Sequence, residues 1–128
     1  MRIAKVLLID DEPHIRKIGE ISLARVGGYE ALLAASGPEG IALAVRERPD
    51  VILLDVMMAG MDGPMTLAEL RARPETAHIP VLFMTASAQG SEISRYRSLG
   101  AAGVIGKPFD PMTLPAQIAA LVGEARAS

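Results

Sequence analysis

The chain has 128 residues, half of them apolar, with a formal net charge of −2 and no cysteine. That fits one domain with a real core, and it excludes a disulfide framework, a thiol nucleophile and a zinc–thiolate site. Near-balanced charge and a scarcity of aromatic residues give no basis for direct nucleic-acid binding, and no apolar run approaches the roughly 18 residues that span a bilayer.

The opening Met1-Arg2-Ile3-Ala4-Lys5 meets Asp10-Asp11-Glu12 too soon for a secretory signal, so a soluble cytoplasmic protein is expected. A first strand is read from Lys5 to Asp10. Pro13 then opens a helix, with Asp11 or Glu12 near its positive end. Ile15, Ile18, Ile21, Ser22 and Val26 recur at helical spacing along it, and Gly27-Gly28 stops it. Tyr29 to Ala34 is a second strand, expected at an edge. Ser36 is a candidate N-cap for a helix from Pro38 to about Arg48, closed by Pro49-Asp50.

Val51 to Asp55 is the most hydrophobic strand and should be central. A glycine-rich loop follows, Met57-Met58-Ala59-Gly60-Met61-Asp62-Gly63, and Pro64 opens a third helix carrying Leu67, Ala68 and Leu70. Ile79 to Thr85 is strand four. Ser87 or Ser91 is expected to cap a fourth helix with Ile93, Tyr96 and Leu99. Gly103 to Gly106 is a short fifth strand. Asp110 or Thr113 begins a last helix with Leu114, Ile118, Leu121 and Val122. No repeat, low-complexity tract or linker interrupts this order. Residues 1–128 are expected to form a single domain; the end, from Val122 to Ser128, trails off without a linker, which mildly favours a complete single-domain protein over a domain cut from a longer one.

Strict alternation of strand and helix implies an α/β fold, a doubly wound parallel sheet with helices on both faces. In such sheets ligands bind just beyond the carboxyl ends of the strands. Four apolar runs here end in chemically pointed residues: Asp10-Asp11, Asp55, Thr85 and Lys107-Pro108. Three carboxylates, a hydroxyl and an ammonium should therefore converge, a chemistry for a divalent cation and a phosphoryl group.

Each residue also has a structural reading. Asp10 and Asp11 could simply cap the helix opened by Pro13. Asp55 could be a turn residue. However, clustered carboxylates repel and require a compensating cation. Mg²⁺ suits such a site, taking one or two carboxylates, a backbone carbonyl from the loop after Asp55, and a phosphate oxygen. A carboxylate at Asp55 could also act as a nucleophile and form an acyl phosphate. Thr85 alone is most simply structural. Lys107 precedes Pro108, where a cis bond costs little, and its ammonium suits a phosphoryl oxygen. His14 and His78 sit at no strand end. The Met57-Met58-Met61 cluster reads as packing or loop contact, and Arg46, Arg48, Arg71 and Arg73 as charges on a solvated face.

Four stretches together resemble the receiver (phosphoacceptor) domain of two-component response regulators: VLLIDDE from Val6, DVILLDVMMAGMDG from Asp50, IPVLFMTAS from Ile79 and VIGKPF from Val104. Each is weak alone; all four in order, across essentially the whole chain, are specific. The resemblance implies a flavodoxin-like five-stranded parallel sheet in the order 2-1-3-4-5. It implies that Asp55 accepts a phosphoryl group from a phosphohistidine on a sensor histidine kinase or a histidine phosphotransfer protein. Asp10, Asp11, Asp55 and the backbone carbonyl of Met57 would hold Mg²⁺. Lys107 would pair with the phosphoryl oxygens, Thr85 would hydrogen-bond one of them, and the small Ala86 would leave access to Asp55. A change in the surface formed by helix four, strand five and helix five would then reach a downstream protein or an output domain.

Two positions depart from the family pattern. Ala59 stands where proline is usual. Val104 stands three places before the lysine, where an aromatic switch is frequent. A rival reading is a phosphohydrolase with an aspartyl nucleophile. Enzymes of the haloacid dehalogenase type place a second Asp two residues on as general acid, but this chain has Met57, which cannot transfer a proton. A dinucleotide site lacks its glycine fingerprint, and Asp10-Asp11 would repel a pyrophosphate. A receiver-like module that is never phosphorylated would not need all of Asp10, Asp11, Asp55, Thr85 and Lys107.

Overall fold

A computed structural model describes residues 2–127. The elements run β1 (Lys5–Ile9), α1 (Pro13–Ile21), β2 (Glu30–Ala34), α2 (Gly37–Glu47), β3 (Val51–Asp55), α3 (Gly63–Ala72), β4 (Val81–Thr85), α4 (Gly90–Ser98), β5 (Gly103–Gly106) and α5 (Leu114–Ala127). The strands form one parallel sheet in the order β2-β1-β3-β4-β5, with the hydrophobic β3 at its centre and β2 at an edge, as expected.

The period of two along the strands divides the core between the sheet faces. Leu7, Ile9, Ile52, Leu54 and Phe83 pack with Ile41 and Ala44 of α2, Leu67 and Leu70 of α3, and Tyr96 of α4. Val6, Leu8, Val51, Leu53, Leu82 and Met84 pack with Leu23, and with Leu114, Ile118 and Val122 of α5. Covered on both faces, the three inner strands need apolar residues at every position, which explains the unbroken runs in the sequence.

The helix opened by Pro13 differs from its expected form. It ends as an α-helix at Ile21 and widens into a single π-helical segment, Ser22–Val26. The widening lets the buried Ser22 hydroxyl donate to the Pro111 carbonyl ahead of α5. Of the expected stripe, Ser22 is buried but Ile18, Ile21 and Val26 are exposed. Gly19 and Leu23 face inward with Ser22; a Cβ at Gly19 would collide with Leu8 Cδ2. Strand β4 begins at Val81 and not at Ile79, because Pro80 has no N–H for the ladder. Ser36 caps α2 as expected, its hydroxyl accepting from the Glu39 N–H. Neither Ser87 nor Ser91 caps α4, whose N-cap is Gln89. Helix α5 starts at Leu114, after a turn in which Asp110 Oδ1 accepts from the Met112 N–H.

Candidate functional site at the carboxyl edge of the sheet

Strand register brings the pointed residues together. Ile9 pairs with Leu54, so Asp10 emerges beside Asp55 at the end of the central strand. Asp55 pairs with Met84, and Thr85 with Gly106, which places Thr85 and Lys107 on the next strands along the same edge. The Lys107 N–H donates to the Thr85 carbonyl at 2.8 Å, fixing the start of the last loop. The Lys107–Pro108 bond is cis.

Lys107 Nζ lies 2.9 Å from Asp10 Oδ2 and 3.0 Å from Asp55 Oδ1. Asp10 is fully buried, and Asp55 is only 3% exposed. Asp11 is exposed, yet carboxylate oxygens of Asp10, Asp11 and Asp55 all lie within 4.8 Å of one another. The capping alternative for the two leading aspartates does not hold. The N-cap of α1 is Glu12, and no side chain caps that helix. Asp10 Oδ1 instead accepts from the Glu12 N–H at 2.9 Å, and Asp11 Oδ2 from the Ala59 N–H at 3.3 Å.

One ammonium faces three carboxylates, so the cluster remains short of positive charge. Burial is the largest influence on Asp55 and disfavours its ionised form. Lys107 opposes this and Asp10 reinforces it, leaving the Asp55 pKa raised. Burial disfavours the Lys107 ammonium too, but Asp10 and Asp55 outweigh it and its pKa is raised. Asp10 Oδ2 is ion-paired to Lys107 at a short distance, but it accepts no hydrogen bond of acceptable geometry. A buried, imperfectly satisfied carboxylate oxygen among three converging acids fits an oxygen-seeking divalent cation.

Thr85 is buried at the end of β4, and its hydroxyl is engaged by the Ser87 N–H at 3.1 Å, not by Asp55 or Lys107. The Met57 N–H reaches Asp55 Oδ1 at 3.4 Å, while its side chain is 79% exposed. Met58 and Met61 pack against the core. Ala86 is exposed beside Thr85. Val104 is partly buried against the α2–α4 side of the core.

Three contributions were not evident in the sequence reading. Glu12 Oε1 stands 3.9 Å from Lys107 Nζ, a third acid on the same ammonium, signalled only by its adjacency to Asp10-Asp11. Gly63 passes so close to the end of β3 that a Cβ would sit 2.7 Å from the Asp55 carbonyl oxygen and 2.8 Å from Val56 Cα. Asp62 caps α3 through the Met65 N–H at 2.9 Å, so the glycine and its cap together fix how α3 leaves the site.

A family model for the response regulator receiver domain matches residues 6–119. The chain belongs to the response regulator receiver family. Among curated relatives, it is 40% identical over 120 residues to the response regulator PleD of Caulobacter vibrioides, covering 92% of this chain and 26% of PleD. It is 38% identical over 118 residues to the DNA-binding dual master transcriptional regulator RpaA of Synechocystis, covering 92% of this chain and 48% of RpaA. This receiver therefore spans about a quarter and about half of those two relatives. Among solved structures, it superposes on the chemotaxis protein CheY4 of Vibrio cholerae with a TM-score of 0.86 at 33% identity, covering 94% of this chain and 99% of that one. Among the described residues, no helix is long and apolar enough to cross a membrane.

Proposed function

We propose that the chain works as a single receiver unit whose Asp55 accepts a phosphoryl group from a phosphohistidine. The donor would be a sensor histidine kinase or a histidine phosphotransfer protein in the cytoplasm. The observation that carries this reading is the Lys107 ammonium held between Asp10 and Asp55 at 2.9 and 3.0 Å, with Asp11 alongside. An Asp55 oxygen attacks phosphorus, the nitrogen–phosphorus bond breaks, and the imidazole leaves with that electron pair. The product is an acyl phosphate. Lys107 favours the ionised form of Asp55 against the effect of burial and stands ready for the new phosphoryl oxygens.

Asp10, Asp11, Asp55 and the Met57 carbonyl are the residues that would hold Mg²⁺. Bound there, the ion would neutralise charge on the transferring phosphoryl group. Thr85 Oγ1 accepts from the Ser87 N–H, so its own O–H is free to turn and donate to a phosphoryl oxygen, and that reorientation is a local trigger. It would move the loop into α4, while Lys107 draws on the end of β5. The readout would be the surface of α4, β5 and α5, passed to a separate partner or to an output domain in the same polypeptide. With Val104 in place of an aromatic ring, that readout is built from smaller movements. The exposed Met57 thioether offers no proton for a hydrolase's general acid, which favours the acceptor reading over the enzyme.

The test is phosphoryl incorporation from a small-molecule phosphoramidate. One acid- and base-labile group should appear, only in the presence of Mg²⁺. Mg²⁺-independent incorporation, or none by this donor and by a kinase alike, would refute the reading.

A further inference from the structure

We infer that Met57 is a reversible oxidation site, and that its sulfoxide shortens the lifetime of a phosphoryl group on Asp55. The inference rests on the phosphoacceptor reading above and adds a modification to it.

Several methionines surround this end of the molecule in different states. Met84 is fully buried, and Met58 and Met61 pack against the core. Met57 is 79% exposed, ahead of Met112 at 69% and Met65 at 53%. It is also the one bound through its own backbone to the phosphoacceptor, by the Met57 N–H on Asp55 Oδ1. A hydroperoxide can therefore reach its sulfur without any opening of the fold. The sulfur lone pair attacks one peroxide oxygen, the oxygen–oxygen bond breaks, and a sulfur–oxygen bond forms. For hydrogen peroxide, water leaves; sulfur is oxidised by two electrons and the peroxide is reduced by two. Methionine sulfoxide reductases reverse the change.

The consequence follows from what each form offers a water molecule. Hydrolysis of an acyl phosphate by attack at phosphorus needs a water placed in line, opposite the aspartyl oxygen. A thioether is a weak acceptor and orients water poorly. A sulfoxide oxygen is a strong acceptor on the same flexible, unpacked side chain, and it can hold a water by one of its hydrogens. The modification thus makes polar the exposed side chain of the residue whose N–H meets Asp55 Oδ1, with no core contact disturbed.

The experiment treats the protein with hydrogen peroxide, maps sulfoxides by peptide mass spectrometry, removes the peroxide, and phosphorylates with a phosphoramidate in Mg²⁺ buffer. Phosphate release is then followed in oxidised and unoxidised samples of the same protein. Oxidation should speed release by about threefold or more, since placing a water contributes strongly to such steps. The ratio should persist in a Met65→Leu/Met112→Leu double variant, vanish in Met57→Leu, and return to one after treatment with methionine sulfoxide reductases. Unchanged or slower release with Met57 sulfoxide confirmed would overturn the inference alone. So would acceleration that survives in Met57→Leu. Failure of the unoxidised protein to incorporate phosphate would overturn the phosphoacceptor reading as well, so the two failures are distinct.

Discussion

Replacing Asp55 with asparagine should stabilise the fold in metal-free buffer. Carboxylate oxygens of Asp10 and Asp55 lie within 4.8 Å. At an effective dielectric constant near 20, that repulsion is about 3.5 kcal/mol. The contact of 3.0 Å with Lys107 returns about 5.5 kcal/mol on the same basis. The difference, about 2 kcal/mol in favour of the charge, is smaller than the several kcal/mol of desolvation that burying a carboxylate costs. This agrees in sign with the raised pKa of Asp55. Asparagine keeps the shape, still accepts from Lys107 and drops the charge, so Asp55→Asn should gain about 1 kcal/mol, at the lower end of that imbalance. Urea unfolding followed by circular dichroism, in chelator at pH 7, measures it.

Two further readings follow from the same variant. A folded-state pKa above the ordinary aspartate value of 3.8 means that protonated Asp55 contributes stability that is fully present below 3.8 and lost as pH rises through the folded pKa. The gap between variant and wild type should therefore close as pH falls toward 3.8. Mg²⁺ at ten times its dissociation constant should add about 1.4 kcal/mol to the wild type, and less to the variant. A variant clearly less stable than wild type in chelator, together with a wild type indifferent to Mg²⁺, would refute the electrostatic reasoning.

The other expectations concern single residues around the site. In metal-free buffer the Asp55 carboxyl should titrate above an unperturbed aspartate, because burial disfavours its charge; carboxyl NMR in chelator checks this, and a pKa at or below the ordinary aspartate value would contradict it. Gly63→Ala should cost about 2 kcal/mol in unfolding experiments and slow phosphorylation, since its Cβ would press on the Asp55 carbonyl and on Val56 Cα. Arg71→Leu should cost about 1–3 kcal/mol by stripping the Ile79 and Gly100 carbonyls of their guanidinium donors, which urea titration would detect. Amide exchange with and without a phosphoryl mimic should differ between Ala86 and Phe109; changes confined to α1 would contradict the proposed route through Thr85 and Lys107.

The fold was legible because its strongest signals are local. Short unbroken runs such as Val51 to Leu54, bounded by turn signals, read as strands covered on both faces, and their ends aim the acids at one edge. Ser36 announced its cap because the partner is three residues away. The misread features depend on distant partners. Arg71 looked like a solvated helix-end charge. It is in fact half-buried, with its pKa lowered by burial, and donates to carbonyls at the ends of two other segments. The π-helical segment after α1 is explained by Pro111, far along the chain from Ser22. The apolar stripe of Ile18 and Ile21 faces outward because small residues, Gly19 and Ser22, are what the sheet surface accommodates there. Ser87 was expected to cap α4, but that helix begins at Gly90 with Gln89 at its N-cap, two residues beyond Ser87. Helical spacing shows that residues share a face; it does not show which face the sheet will take.

The central claim is that Asp55 carries the phosphoryl group, and reductive trapping tests it most directly. Borohydride converts an aspartyl phosphate to homoserine, which peptide mass spectrometry locates. After phosphorylation in Mg²⁺ buffer, homoserine should appear at position 55 alone and be absent from Asp55→Asn. Homoserine at Asp10 or Asp11, or stable label on a hydroxyl residue with none at Asp55, would contradict the account.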